Sequence, residues 1–177
     1  MVFSLRRAVL DDTPVLERLI EASARGLARA DYSAAQIEAS LGVGWGVDTE
    51  LIRDGTYFVA EVGAEVVGAG GWSRRKTLFG GDKQPGRQSD VLDPARHAAR
   101  IRAFFVRPDW ARRGIGRALI ERCESEARRA GFHAAELMAT LPGERLYRAC
   151  GYAVLERVQQ PLAEGLVIEL VAMRKEW

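Results

Sequence analysis

The segment from Ile101 to Arg129 constrains the fold more than any other part of the chain, because three patterns follow one another within it. Residues 101–106 are apolar and rich in aromatics, which is typical of a central strand, and Pro108 ends the strand because proline cannot donate to a sheet ladder. Beyond a short basic loop, apolar residues recur four positions apart: Ile115, Leu119, Cys123 and Ala127. This spacing predicts a helix with one apolar face, so the segment predicts a strand, a tight turn and a helix.

The loop between them, residues 111–117, has the properties of a phosphate-binding site. Gly114 and Gly116 lack the Cβ atoms that would keep an anion from the backbone, and the first turn of a helix offers unpaired N–H groups and about half a positive charge. Three arginines add bidentate donors suited to phosphate oxygens: Arg112, Arg113 and Arg117. The pattern is neither a P-loop nor a dinucleotide-binding fingerprint. A plain helix start, with glycines for close packing and arginines for solubility, is the alternative.

A second segment, residues 146–152 (LYRACGY), lies thirty residues further along, after a predicted short helix. Together the two segments resemble the conserved core of the GNAT superfamily of N-acetyltransferases. Those enzymes carry R/Q-x-x-G-x-G/A after a central strand and a later F/L-Y-x-x-x-G-F/Y. The resemblance is densest over residues 101–152, and the order and lengths of the elements agree along the whole chain. It implies a single N-acetyltransferase domain over residues 1–177.

The remaining patterns place the other elements of the fold. Residues 133–140 are predicted as the next strand, and because a helix connects them to the central strand, the two strands should be parallel with a right-handed crossover. Before the central strand we predict a strand at 3–9, a helix from Asp11 to about Arg29, a helix that begins at the capping box Ser33-x-x-Gln36, a helical turn at 48–53, and a hairpin at 56–62 and 66–72. After residue 140 we predict a short helix that begins at Pro142 and a final antiparallel pair of strands at 152–160 and 167–174. This is an α/β (α+β) fold class with a mixed, mostly antiparallel central sheet. The resemblance adds that the parallel pair is splayed apart and that helices cover both faces, as in the acyl-CoA N-acyltransferase fold.

In this family the pantetheine arm of acetyl-CoA lies between the splayed strands. The resemblance therefore implies that acetyl-CoA is the co-substrate and that no metal takes part. Backbone groups of Phe105 and Val106 are expected to pair with the pantetheine amides, and Thr140 occupies the place of a common CoA-contacting asparagine. The glycine loop is expected to hold the pyrophosphate on its backbone: Arg112, Arg113, Gly114, Ile115, Gly116 and Arg117.

Tyr147 falls where the family keeps the tyrosine that protonates the departing CoA thiolate. A phenol with a pKa of about 10 remains protonated at pH 7 and can donate as the thiolate forms. The alternative is that Tyr147 is simply an aromatic residue on the inner face of a short helix. Direct attack by a neutral amine would create an oxyanion, which a backbone N–H on the central strand would stabilise.

The chain departs from the family pattern in ways that affect the chemistry. Ala111 stands where the motif usually has Gln or Arg, a change that backbone contacts and the following arginines should offset. More importantly, the central strand carries Arg100 and Arg102, whereas many relatives have a glutamate there that takes the amine proton. The general base therefore stays open between a bound water, a backbone carbonyl and four side chains: Glu61, His97, Asp48 and Glu136.

The resemblance also implies where the acceptor binds, because the first two helices and the loop before the central strand usually form that side. The corresponding contacts here are the loop 73–98 and four side chains: Tyr32, Trp45, Asp48 and Trp72. The alternative is that Trp45 and Trp72 are core aromatics. A loop as long as 73–98 is uncommon in a compact domain and is usually functional or disordered.

The implied function is acetyl transfer to a primary amine of a small molecule or peptide; the alternative is a catalytically silent acyl-CoA sensor.

Composition excludes several other classes of protein. The chain is 47% hydrophobic and 28% charged, which is ordinary for a globular protein, and its net charge of +2 gives no field on the scale that nucleic-acid binding requires. The two cysteines lack metal-ligand spacing and are expected to be reduced thiols. We expect a cytoplasmic protein without a membrane segment, since residues 1–7 lack a signal-peptide pattern and no 18-residue apolar run occurs. A homodimer is implied by the resemblance alone.

Overall fold

A computed structural model describes residues 2–177, which form a seven-stranded sheet with helices on both faces. The strands are β1 (Ser4–Arg7), β2 (Tyr57–Val62), β3 (Glu65–Ser73), β4 (Ala99–Val106), β5 (Ala134–Thr140), β6 (Ala153–Pro161) and β7 (Val167–Glu176). The helices are α1 (Thr13–Leu27), α2 (Ala34–Ser40), α3 (Thr49–Arg53), α4 (Ile115–Arg129) and α5 (Leu141–Ala149). Short 3₁₀ turns occupy Leu10–Asp12, Pro108–Trp110 and Ala163–Gly165.

The strand order is β1-β2-β3-β4-β5-β7-β6, and neighbouring strands run antiparallel except for the pair β4–β5. The parallel pair is joined at only two positions, Ala99 with Ala135 and Arg100 with Glu136. Beyond that second position the two strands separate, although each continues for several residues. The predicted mixed sheet with a splayed parallel pair is therefore confirmed.

Helix α4 packs on the sheet through the face that the four-residue spacing predicted. Ile115, Leu119, Cys123 and Ala127 are all at most 1% exposed. The first turn of the helix approaches β3 closely because Gly68 has no side chain: a Cβ there would lie 2.6 Å from Ile115 Cγ2. This contact seats the N-terminus of α4, and with it the glycine loop, against the sheet next to the end of β4.

Helix α1 covers the opposite face of the sheet. Its buried residues Leu16, Leu19 and Ile20 pack in the same cluster as Tyr57 and Val59 of β2. The helix also approaches the turn after β4, since a Cβ at Gly26 would lie 2.3 Å from Pro108 Cγ. A bulkier residue at Gly26 would force α1 away from the end of the central strand.

The predicted boundaries hold to within about two residues: β1 ends at Arg7 rather than residue 9, and α1 begins at Thr13, after a 3₁₀ turn, rather than at Asp11. The capping box that opens α2 is present, with Ser33 Oγ accepting from the Gln36 N–H and Gln36 Oε1 accepting from the Ser33 N–H. Helix α1 ends at Leu27 rather than near Arg29. Strand β7 extends to Glu176 rather than Arg174, because β5 pairs with it as far as Ala134–Glu176.

The loop 73–98 is ordered and doubles back on itself. The Lys76 N–H donates to the Asp90 carbonyl, the Thr77 N–H to the Gln88 carbonyl, and the Leu92 N–H to the Arg74 carbonyl. Arg75 ties the loop to the end of α3 through two hydrogen bonds to Asp54, of 2.7 and 2.8 Å. Across residues 2–177, no helix has both the length and the hydrophobicity needed to cross a bilayer.

Candidate active site

The separation of β4 from β5 opens a cleft in the middle of the sheet. Phe104, Phe105 and Val106 remain half-buried, although β4 is the fourth of seven strands and its centre would normally be covered. On the facing strand, Met138 and Thr140 are also half-buried. Both walls beyond the Arg100–Glu136 pair are thus accessible, and the cleft offers unpaired backbone along its length.

A β-bulge lies in β4 at the start of this cleft. Ala103 has a positive φ of 57°, and the register with β3 shifts between Gly71–Arg102 and Ala69–Phe105. The ring of Phe104 lies over Gly70, where a Cβ would come within 2.7 Å of Phe104 Cζ. The Ala103 carbonyl accepts a hydrogen bond from the Tyr57 hydroxyl at 3.0 Å. The bulge takes the backbone around Ala103 out of the ladder with β3, which is typical of bulges beside active sites.

The structure directs the backbone groups of Phe105 and Val106 differently. The Arg107 N–H donates to the Val67 carbonyl, and in the same antiparallel register the backbone of Phe105 faces Ala69 on β3. Val106 lies between these ladder positions, and its N–H donates instead to Ser23 Oγ of α1, at 3.3 Å. The N–H of Val106 therefore points away from β3, and a ligand in the cleft can compete with Ser23 for this hydrogen bond.

The glycine loop forms an exposed anion cradle at the mouth of the cleft. Gly114 is the residue preceding α4 and has a left-handed conformation with φ of 85°. Within the described residues no side chain caps the helix, so the N–H groups of its first turn face outward. A Cβ at Gly114 would meet nothing within 4 Å, and the side chains of Arg112 and Arg117 are exposed. Helix dipole, free amides and guanidinium groups therefore converge on open space.

The other loop residues differ in what they present. Ile115 is buried at 1% exposure, so only its backbone can face a ligand. The Arg113 guanidinium lies over the ring of Trp110, 4.7 Å from its centroid, and Arg107 lies 6.0 Å from the same ring. Gly116 contacts α5, because a Cβ there would lie 2.7 Å from Leu146 Cδ2. The cradle is thus coupled by direct packing to the helix that carries Tyr147.

Tyr147 lies on the inner face of α5 and is 8% exposed. Its ring packs edge-on against Phe104 of β4 and against Tyr152, with centroid distances of 6.1 and 5.9 Å. Burial raises the pKa of the Tyr147 phenol above its ordinary value, which keeps the hydroxyl protonated. The hydroxyl finds no hydrogen-bond partner among residues 2–177. Tyr147 therefore contacts the wall of the cleft with a proton that nothing else in the described chain engages.

Thr140 ends β5 and caps α5. Its Oγ1 accepts a hydrogen bond from the Gly143 N–H at 3.3 Å, which leaves the hydroxyl proton available for another acceptor. The residue stands on the wall of the cleft facing β4. A contact between its hydroxyl and a ligand stays a prediction.

Each of the four side chains considered as general base already has a partner. Glu61 accepts from Arg6 at 2.8 Å, Glu136 lies between Arg100 and Arg174, and His97 is exposed and bonded to the backbone of Asp93. Asp48 is fully buried: it accepts from Arg102 and from Arg87 and also from the Leu51 N–H. None of these side chains is therefore free of a partner to receive the amine proton.

The structure brings together only part of the predicted acceptor side. Tyr32 and Trp45 face each other at 6.0 Å between ring centroids, near the loop 73–98. Trp72 lies elsewhere: it is 3% exposed and packs edge-on against Phe132 in the core under α4. The proposed acceptor contact of Trp72 is therefore wrong, because the register of β3 turns this side chain to the other face.

Sequence reasoning missed two features of the site. Ser23 binds the backbone of β4, and the one available signal was a polar residue within the apolar stripe of α1. The bulge at Ala103 had no local signal, since alanine rarely adopts a positive φ.

Comparison with known proteins places this geometry in context. The family model described as the acetyltransferase (GNAT) family matches residues 22–152, which include the central strand, the cradle and α5. A search of curated protein sequences found no match.

Solved structures with the same fold cover nearly the whole chain. A GCN5-related N-acetyltransferase from Rhodopseudomonas palustris has a TM-score of 0.71 and 22% identity, covering 100% of this chain and 99% of its own. The PaiA N-acetyltransferase from Thermoplasma acidophilum, solved with coenzyme A, has a TM-score of 0.67 and 14% identity, with 100% of both chains covered. YncA from Salmonella typhimurium, solved with acetyl-CoA, has a TM-score of 0.62 and 18% identity, covering 99% of this chain and 94% of its own. At these identities the likeness concerns the fold.

Proposed function

Because the chain belongs to the acetyltransferase (GNAT) family, we propose that it transfers the acetyl group of acetyl-CoA to a primary amine of a small molecule or peptide. The observation that carries this proposal is the uncapped start of α4, headed by Gly114, at the mouth of the cleft whose wall holds Tyr147. An anion site and a protonated phenol at one cleft are what a donor with a diphosphate and a thiol leaving group requires.

The residues present fit acetyl-CoA, whose thioester supplies an activated acetyl group. The cradle provides free amides from Gly114 to Arg117 and open space above Gly114, and the exposed guanidinium groups of Arg112 and Arg117 add charge. The Val106 N–H offers a donor inside the cleft. Phe104 and Leu146 supply half-buried apolar surface along it.

In the proposed transfer, the amine nitrogen forms a bond to the acyl carbon and the carbon–sulfur bond breaks. The amine loses its extra proton to water, and the sulfur takes a proton from the Tyr147 hydroxyl, which is restored from solvent. The bulge around Ala103 places backbone outside the ladder, where an N–H can stabilise negative charge that develops on the carbonyl oxygen. Much of the remaining acceleration would come from holding both reactants between β4 and β5.

Thermal unfolding with and without acetyl-CoA tests the proposal. At about 100 times its dissociation constant, a ligand stabilises the folded state by roughly 2.7 kcal/mol, which corresponds to an upward shift of about 5–10 °C for a chain of this size. Arg117→Glu, at the cradle, should weaken binding about tenfold and reduce this shift. Arg129→Glu changes the net charge equally at the far end of the same helix and should leave the shift intact. An absent shift for the unaltered protein, or equal loss in both variants, contradicts the proposal.

A second candidate function is a catalytically silent acyl-CoA sensor, and one observation favours it. Strand β4 carries arginines and no glutamate of the kind many relatives have there, and each of the three carboxylates considered as base is bound by an arginine. A sensor would show the same thermal shift but release no thiol with any amine. Assaying thiol release from acetyl-CoA across a panel of amines separates the two functions.

A further inference from the structure

An apolar cluster lies on the face of the sheet opposite the cradle. We call it the aromatic cluster. Five buried or half-buried side chains from separate segments form it: Tyr32, Trp45, Phe79, Met138 and Leu141. Ile168 and Leu170 of β7 are buried beneath it. Four of the five members, all except Tyr32, keep part of their surface accessible, so an apolar group can rest on them.

The cluster begins at the wall of the cleft. Met138 lies two residues beyond Glu136, the last position at which β5 pairs with β4, and alternates with Leu137 and Ala139, which pack into the core under α4. Because side chains alternate along a strand, Met138 points to the face away from α4 and the cradle. A donor entering over the cradle and an acceptor resting on the cluster would therefore approach the cleft from opposite faces.

The cluster is held in place before any ligand arrives. The Tyr32 hydroxyl donates to the Glu169 carbonyl at 2.6 Å and accepts from the Leu141 N–H at 2.8 Å, which ties it to both β7 and the start of α5. Its ring faces Trp45 at 6.0 Å. A rigid apolar surface loses little entropy when it binds a ligand.

Phe79 is held by the loop that carries it. The Gly81 N–H donates to the Val43 carbonyl, the Asp82 N–H to the Val47 carbonyl, and Arg87 to the Gly80 carbonyl at 2.9 Å. Gly81 also packs against Gly46: a Cβ at Gly81 would lie 2.8 Å from the Gly46 backbone. The loop 73–98 thus presents Phe79 beside Trp45 as a fixed wall.

The charges on this face do not favour a polycationic acceptor. Glu136 is bonded to Arg100 and Arg174, and Asp48 to Arg102 and Arg87. An ammonium group would find these carboxylates already compensated. Apolar surroundings favour the neutral form of an amine, which is the nucleophilic form, and so lessen the need for a protein base.

We propose that the acceptor is a primary amine joined through a short linker to an aromatic or branched aliphatic group, and that the aromatic cluster binds this group. The inference rests on the proposed acetyltransferase function and names its substrate class. It assigns Phe79 and Trp45 to specificity, since both line the accessible side of the cluster.

The experiment compares kcat/KM for three amines: 2-phenylethylamine, ethylamine and 1,4-diaminobutane. We expect 2-phenylethylamine to exceed both others by tenfold or more, since each buried methylene is worth about a factor of three to four. A preference for the diamine, or equal values for all three, overturns the proposal. Acetyl-CoA-induced stabilisation is measured on the same samples: if it persists while the ranking fails, only the acceptor class is wrong, and if it is absent the proposed function falls and the inference with it.

Variants make the assignment specific. Phe79→Ala should lower kcat/KM for 2-phenylethylamine about tenfold, mainly through KM, change ethylamine less than threefold, and leave the acetyl-CoA shift unchanged. Phe79→Leu keeps apolar bulk and should stay within about threefold of the original. Leu155→Ala removes an exposed apolar side chain of β6 that lies outside the cluster and should change nothing. Equal losses for both amines in Phe79→Ala, with Phe79→Leu folded and equally impaired, overturn the role of the cluster.

Discussion

The guanidinium of Arg102 donates to the carboxylate of Asp48, and both side chains are at most 1% exposed. Arg87 of the loop 73–98 donates to the same carboxylate at 3.1 Å, so Asp48 joins the central strand, α3 and the loop. Burial lowers the pKa of Arg102, while the charge of Asp48 raises it. The charged form of Arg102 is therefore stabilised by Asp48. A buried charge stays tolerable only while its partner is present.

Replacing Asp48 by Asn should destabilise the protein strongly, because it leaves the buried Arg102 with Glu50, at 3.8 Å, as its remaining carboxylate, which Arg102 shares with Arg87. Breaking a buried pair costs about 3–5 kcal/mol, or a fall in Tm of roughly 6 °C or more for a chain of this size. Thermal unfolding measures this change. Asp90→Asn is the matched control, because Asp90 is exposed and, among residues 2–177, forms an ion pair with Lys76 alone; a similar fall in both variants would contradict the role of the buried pair.

Tyr147→Phe should lower kcat about a hundredfold while the KM for acetyl-CoA changes less than twofold, because only the proton donor is removed. Stability should be almost unchanged, since the hydroxyl has no partner among the described residues. Because burial raises the pKa of this phenol, the unaltered enzyme should show no loss of activity from Tyr147 ionisation up to about pH 10. Initial rates from pH 6 to 10 check the fall in kcat and the pH dependence, and thermal unfolding checks the stability.

Tyr152→Phe is the control for that experiment. Tyr152 packs against Tyr147 at 5.9 Å and also has a buried hydroxyl, yet it lies beyond the end of α5, and Tyr147 is the tyrosine whose ring pairs with Phe104 of β4. We expect kcat within about twofold of the original. An unchanged kcat in Tyr147→Phe would remove the acid role.

The strand, cradle and helix from Ile101 to Arg129 were predictable because the signals for them are local. Gly114 takes the left-handed conformation that glycine permits, Pro108 lies two residues beyond the end of β4, and the apolar face of α4 repeats at helical spacing. Ser33 and Gln36 likewise form their capping box within four residues of chain. Such features need no knowledge of the rest of the molecule.

The acceptor side was less predictable because distant contacts define it. Arg87 and Asp48 are 39 positions apart, so no window of sequence reveals that the loop 73–98 is anchored. Whether Trp72 contacts the acceptor or lies in the core stayed open, because the side to which a strand residue points depends on register, and β3 has a bulge in its pairing with β4. The order of the loop and the position of Phe79 follow from these tertiary contacts alone.

The anchor between Arg75 and Asp54 predicts a pH dependence of stability. The two hydrogen bonds from Arg75 hold the pKa of the Asp54 carboxyl below its ordinary value of 3.8, so the folded state binds this proton less readily than the unfolded state. The stabilisation is therefore complete above about pH 4–5 and is lost as pH falls through the folded pKa. Asp54→Asn should lower Tm at pH 7, and the gap to the unaltered protein should narrow at pH 3. A constant gap across this range would show that the pair contributes nothing through ionisation.

Gly116 couples the cradle to the helix that carries Tyr147, and a substitution there should affect both. In Gly116→Ala the new Cβ meets Leu146 Cδ2 at 2.7 Å, so α5 and Tyr147 must shift; overpacking of this kind costs about 1–3 kcal/mol. We expect a lower Tm together with a reduced kcat, because Tyr147 is the residue after Leu146. The double variant Gly116→Ala/Leu146→Val removes the clash by shortening the opposing side chain and should recover most of both losses. Gly114→Ala, where a Cβ meets nothing within 4 Å, should instead cost about 1 kcal/mol through its positive φ and leave kcat at saturating acetyl-CoA unchanged. If the double variant Gly116→Ala/Leu146→Val does not recover kcat, Gly116 acts through its backbone rather than through its contact with α5.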